Sequence, residues 1–257
     1  MRLFIIPIIA ALLTLNATAQ DWAKARLDKS PRHLEWVTVK HGEREVKSFI
    51  AFPEVKEKAT AVIVIHEIFG LSDWVRSATD QLAEAGYIAI APDLLTGTSG
   101  AGGADGARGA IGSLPADQIT ADLNAVVAYV AKLPGCNGKV VVSGFCWGGR
   151  QTFRFASTNK DVKAGFVFYG DTATEAEIAH INCPIFGFYG GNDARITANV
   201  PKTIEQMKAA GKAFDPVTYE GAGHGFMRAG EDPAGNEANK KAREEGWKRW
   251  KEFLRKI

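Results

Sequence analysis

Cysteine is scarce in this 257-residue chain: Cys136, Cys146 and Cys183 are all it has. No second cysteine lies close enough to Cys146 in sequence to suggest a resolving partner, which weighs against thiol redox chemistry there. Charge of one sign is lacking too. Lys and Arg number 31 against 29 Asp and Glu, a formal net charge of +2, and no block of like charges precedes the mixed region 240–256. That balance argues against a nucleic-acid partner and for a small-molecule one. After residue 15 no apolar run approaches transmembrane length, so the mature chain is expected to be soluble, with no membrane partner. There is no internal repeat, and no metal site is expected.

What is there begins with Arg2, an apolar run over 3–15, and Ala17-Thr18-Ala19. A positive start, a short apolar stretch and small residues at −3 and −1 are the layout of a secretory signal peptide over 1–19, cut after Ala19. Pro7 interrupts the run, which is short for an uncleaved anchor. The expectation is a periplasmic or secreted monomer, one domain over 20–257. A chain of that length can bury roughly 70–75% of its unfolded surface, ample for a central sheet.

Strand and helix patterns alternate along that domain. Residues 33–53 read as two antiparallel strands, with Leu34, Trp36 and Thr38 set against Lys47, Phe49 and Ala51, and a turn near His41-Gly42. Apolar runs at 61–65, 87–91, 164–169 and 185–189 have the pattern of strands buried on both faces. Residues 216–219 make the last strand. Helical spacing follows Asp73 up to Gly86, then covers 117–133, 151–157, 200–210 and 236–255. Residues 97–112 are rich in Gly and Ala without periodicity and are expected to form a mobile loop or lid. The alternation predicts an α/β fold: a mostly parallel sheet between helical layers, a three-layer sandwich with right-handed crossovers.

The stretch 140–150 organises the rest. Val140, Val141 and Val142 lead into Gly144-Phe145-Cys146-Trp147-Gly148-Gly149 and then a helix, which is a strand, a sharp turn and a helix with a thiol at the apex. Such a nucleophile elbow needs small flanking residues, because the apical backbone is strained and helix and strand pass closely. At the helix N-terminus, unpaired N–H groups and the positive dipole end favour a thiolate. The plain alternative is a small buried thiol beside a tight turn.

Functional groups of a parallel sheet gather at the C-terminal strand ends. Asp193 follows one strand through Gly190-Gly191-Asn192, and His224 follows the last strand within Gly221-Ala222-Gly223-His224-Gly225-Phe226. The order nucleophile, acid, histidine is that of the α/β-hydrolases. In these roles His224 takes the Cys146 proton and later protonates the leaving oxygen, while Asp193 fixes the imidazole tautomer. His66-Glu67-Ile68-Phe69-Gly70 follows the first buried strand. There the N–H of Ile68 is expected to join that of Trp147 as an oxyanion hole. Glu67, aimed at the thiol, would hold the sulfur protonated at rest; pairing with a nearby Arg is the alternative.

These motifs together resemble the dienelactone hydrolase (carboxymethylenebutenolidase) family, over about residues 36–254. The resemblance implies an α/β-hydrolase fold without a large cap, a Cys146-Asp193-His224 triad, a Glu67 that controls the resting thiol, and no cofactor. It also implies two arginines that grip a substrate carboxylate through their planar fork of donors. Arg228, four residues after His224, matches one; Arg108, in the Gly/Ala-rich stretch, is the candidate for the other. The function expected is hydrolysis of small esters or lactones, with or without a carboxylate, through a thiol-acyl intermediate. Acyl transfer or thioester cleavage would use the same machinery. A non-catalytic exported binding protein is the third reading, weakened by the presence of nucleophile, base, acid and oxyanion loop together. Export also makes a disulfide between Cys136 and Cys183 permissible, both lying at the N-terminal edge of the sheet, against two unpaired core thiols.

Overall fold

A computed structural model describes residues 20–103 and 105–257; the expected signal peptide, 1–19, lies outside the described residues. The chain enters through α1 (Asp21–Asp28) and the hairpin of β1 (Leu34–His41) and β2 (Arg44–Ala51). It then alternates through β3 (Ala59–Ile65), α2 (Asp73–Glu84), β4 (Ile88–Pro92), α3 (Ala107–Gly112), α4 (Ala116–Ala131), β5 (Cys136–Phe145) and α5 (Trp147–Thr158). The second half runs β6 (Gly165–Phe168), α6 (Glu175–His180), β7 (Ile185–Gly190), α7 (Ala194–Thr197) and α8 (Val200–Ala209). It ends with β8 (Phe214–Tyr219), α9 (Phe226–Ala229) and α10 (Glu237–Leu254).

The strands form one sheet in the order β1-β2-β4-β3-β5-β6-β7-β8. The pairs β1–β2 and β2–β4 are antiparallel, and all later neighbours are parallel. In the hairpin Leu34 faces Ala51, Trp36 faces Phe49 and Thr38 faces Lys47, the register that the alternation predicts.

All seven residues of β3 are buried, because each face of the strand meets a helical layer. Ala61, Ile63 and Ile65 pack with Leu123, Val126 and Val130 of α4. Val62 and Val64, pointing the other way, pack with Trp74, Val75 and Leu82 of α2 and with Trp250 and Leu254 of α10. Each buried Val, Leu or Ile among them contributes about 1.5–3 kcal/mol relative to exposure.

From β3 the chain steps to β4 on one side and later to β5 on the other. The strand order therefore reverses between β3 and β5, and it is outside the C-terminal strand ends at such a switch point that open α/β sheets bind ligands. The loops that leave those two ends carry Glu67 and Cys146.

Two expectations are corrected. The stretch 97–112 is not irregular: it holds a tight turn at Ala101–Gly103 and the helix α3. Buried Asp93 accepts hydrogen bonds from the N–H of Leu95 at 3.1 Å and of Gly102 at 2.6 Å. Leu95, Ala107 and Ile111 form a small core against Ile68 and Trp147. The glycines permit close packing, since a Cβ on Gly100 would lie 2.5 Å from the Cα of Ala107. Second, Cys136 and Cys183 are free, buried thiols. Cys136 opens β5 and Cys183 precedes β7, with β6 between them. Two strand spacings, about 10 Å, exceed the roughly 7 Å that a disulfide can span between Cα atoms. Burial pushes the Cys183 thiol up to about 11.

Candidate active site

Cys146 sits between β5 and α5 with φ 55° and ψ −115°, a conformation that a non-glycine residue adopts at a cost of roughly 1–3 kcal/mol. The surroundings impose it. The Cys146 N–H donates to the carbonyl of Phe168 on β6 at 2.9 Å. A Cβ on Gly144 would lie 2.1 Å from the Gly148 carbonyl oxygen, and one on Gly148 would lie 2.3 Å from that of Ile65. Only glycine at both positions lets the helix close onto the strand ends.

His224 and Asp193 come to the sulfur from the neighbouring strands. The loops after β7 and β8 are laced together, the N–H of Asn192 donating to the carbonyl of Ala222 at 2.8 Å. Asn239 of α10 accepts from the N–H of Gly223 at 2.9 Å, which fixes the histidine loop from behind. His224 Nδ1 is 2.5 Å from Asp193 Oδ2, and its Nε2 is 3.1 Å from Cys146 Sγ. A carboxylate oxygen accepts, so Nδ1 carries the hydrogen and Nε2 is left to take a proton from the thiol.

Burial raises the Cys146 pKa, and the negative charge of Glu67 adds to it. The N–H groups of Trp147 and Ile68, both turned to the sulfur, and the positive charge of Arg195 act in the opposite direction. Burial and Glu67 prevail, so the thiol pKa stands above its ordinary value, opposite to the shift that the helix terminus alone suggests. Glu67 itself is buried. Its Oε2 accepts from Arg228 Nε at 2.8 Å and its Oε1 from the Tyr169 hydroxyl at 3.3 Å. Tyr169 has φ 40° and sets its ring edge-on to His224, centroids 5.2 Å apart. It therefore touches both the carboxylate and the imidazole.

Arg228 and Arg108 reach one aromatic ring. Their guanidinium carbons lie 5.1 Å and 4.8 Å from the ring centroid of Phe69. Arg228 is thus engaged by Glu67 in the free protein, while Arg108, exposed on α3, makes no ion pair among the described residues. The structure brings together Cys146, His224, Asp193, Glu67, Ile68, Trp147, Arg228 and, through Phe69, Arg108. Tyr169, Asn239 and Arg195 were not legible as site residues. Tyr169 ends an apolar strand and Asn239 lies within a helix of charged residues, so neither has a sequence signal beyond its element. Among the described residues no cluster of three or more His, Cys, Asp or Glu is placed to hold a metal ion, and no helix is long and apolar enough to cross a membrane.

A mostly parallel eight-stranded sheet with a nucleophile-type elbow at its switch point defines an α/β-hydrolase. The chain belongs to the dienelactone hydrolase family, whose model matches residues 46–257. It is 33% identical over 226 residues to a Salmonella typhimurium protein named "Putative carboxymethylenebutenolidase", covering 82% of each chain. A protein of the same name from Saccharolobus solfataricus is 31% identical, over 83% of this chain and 95% of its own. Among solved structures, a "Putative Dienelactone Hydrolase" from Klebsiella pneumoniae superposes with a TM-score of 0.78 at 26% identity, over 88% of this chain and 99% of that one. The protein is accordingly a carboxymethylenebutenolidase-like hydrolase.

Proposed function

We propose that the protein hydrolyses small carboxylic esters or lactones by covalent catalysis at Cys146. The observation that carries this reading is the chain of contacts from Sγ to imidazole at 3.1 Å and from imidazole to carboxylate at 2.5 Å. His224 Nε2 takes the thiol proton, and the sulfur adds to the substrate carbonyl carbon. The carbonyl oxygen becomes an oxyanion within reach of the N–H groups of Ile68 and Trp147. When the intermediate collapses, the C–O bond breaks and the imidazolium protonates the departing alkoxide, leaving a thioester on Cys146. Water, deprotonated by His224, repeats the addition at the thioester carbon. The acid leaves and the thiol is restored.

Glu67 keeps the sulfur protonated until substrate arrives. A substrate carboxylate drawn to Arg228 and Arg108 competes with Glu67 for the Arg228 guanidinium, which favours acidic substrates. The segment 1–19 supports export, with the mature chain acting in the periplasm or outside the cell.

The test is turnover of 4-nitrophenyl acetate by Cys146→Ala. The expected rate is indistinguishable from the uncatalysed one, whereas activity within tenfold of the parent would remove Cys146 from the mechanism.

A further inference from the structure

His66 ends the first buried stretch, immediately ahead of Glu67, and is fully buried. Its Nδ1 lies 2.8 Å from the carbonyl oxygen of Glu67. A carbonyl only accepts, so Nδ1 carries the hydrogen. Burial lowers the imidazole pKa; the ring is neutral and Nε2 is bare. That nitrogen has no hydrogen-bond partner among the described residues. A second proton there would have nowhere to donate, so the ring is locked in one tautomer.

The carbonyl that His66 holds belongs to the same peptide plane as the N–H of Ile68. In a trans peptide the two point in opposite directions, and the described residues contain no cis peptide. Fixing the oxygen therefore fixes the direction of the hydrogen. The same oxygen also accepts from the Gly70 N–H at 3.1 Å, so two donors pin the plane from behind while Ile68 N–H faces the thiol pocket. The other face of the device is the His66 ring itself. It stacks on the indole of Trp147, with centroids 5.3 Å apart and planes 18° from parallel, and Trp147 supplies the second N–H.

We propose that His66 is the positioning residue of the oxyanion hole, its Nδ1–H aiming the Ile68 N–H and its ring bracing Trp147. This rests on the hydrolytic reading of Cys146 given above. His66 does not touch substrate or sulfur, and moves no proton. It works by holding two donors where negative charge develops, and small errors of aim there are costly.

The experiment compares His66→Phe and His66→Leu, which lack the donor, with His66→Asn, whose amide nitrogen can occupy the Nδ1 position. In both variants without the donor kcat for 4-nitrophenyl acetate is expected to fall about 10- to 100-fold with KM nearly unchanged. Trifluoroacetone, to which the sulfur adds to give an oxyanion, is expected to bind more weakly by a similar factor. Alkylation of Cys146 by iodoacetamide develops no oxyanion, and its limiting rate at high pH, where the thiol is fully ionised, should stay within about twofold of the parent. That rate also shows that the variant is folded with its thiol in place. His66→Asn is expected to recover most of the lost kcat. Three results overturn the proposal, the first two being a folded donor-less variant with the parent's kcat, and the limiting alkylation rate and kcat falling together. Equal loss in the Asn and Leu variants also overturns it, since stacking alone would then be the role. Residual activity in Cys146→Ala would instead refute the hydrolytic reading, so the two failures are separable.

Discussion

At Cys146 two opposing influences meet in one atom. The N–H groups at the start of α5 stabilise a thiolate, while burial and the Glu67 carboxylate raise the pKa. The Glu67 influence can be removed by itself. In Glu67→Gln the negative charge is gone and the Arg228 guanidinium loses its partner, so both changes favour the anion. The pH midpoint of Cys146 alkylation by iodoacetamide is expected to move to lower pH, leaving only the part of the rise that burial causes. An unmoved midpoint would show that the carboxylate does not act on the sulfur. The residues that carry this balance differed in how readable they were. Cys146, Asp193 and His224 are legible because glycine-rich turns at strand ends announce them. Glu67 was legible as a carboxylate near the thiol, but its partners were not, because Tyr169 and Arg228 reach it from 102 and 161 positions away.

The elbow turns sequence into site at the scale of elements. Gly144 and Gly148 let α5 approach β5 and β3 more closely than any side chain allows. Gly144→Ala is expected to cost at least the upper end of the about 1–3 kcal/mol of an overpacked core, read by urea unfolding. Gly109→Ala is the internal contrast. That position lies on α3 with nothing within 4 Å of an added Cβ, and alanine there is expected to be neutral or stabilising by about 0.5–1 kcal/mol. If both variants unfold at the parent's urea concentration, close packing is not what Gly144 is for. The same contrast explains what could be read of the elements. The hairpin register and the long helices follow from periodicities of 2 and 3.6, which survive without tertiary knowledge. The turn and helix within 97–112 do not, because glycine carries the same letter whether it frees a loop or admits a neighbour. The short helix α6 has no periodic signal in the sequence although Thr174 and Glu177 form a capping box at its start; six residues are too few to show a period.

Over the whole molecule, the place of the site is set by the strand order and not by any one motif. β3 and β5 are neighbours that the chain reaches in opposite directions, and β6, β7 and β8 then bring Asp193 and His224 to the same rim. The proposed chemistry lies at that C-terminal edge, while Cys136 and Cys183 lie near the N-terminal edge as separate buried thiols. The stability of the fold should then be independent of redox state, and export to an oxidising compartment, as proposed above, would not change it. A native bridge contributes about 2–4 kcal/mol, which in a domain of this size corresponds to at least about 4 °C in Tm. Thermal unfolding of the protein, purified without reductant, is therefore expected to give the same Tm, to about 1 °C, before and after treatment with dithiothreitol. Alkylation under denaturing conditions should label all three cysteines without prior reduction. A fall of about 4 °C or more on reduction, with only Cys146 labelled beforehand, would mean that β5 and β7 are closer at that edge than two strand spacings allow, and that the sheet order itself is wrong there.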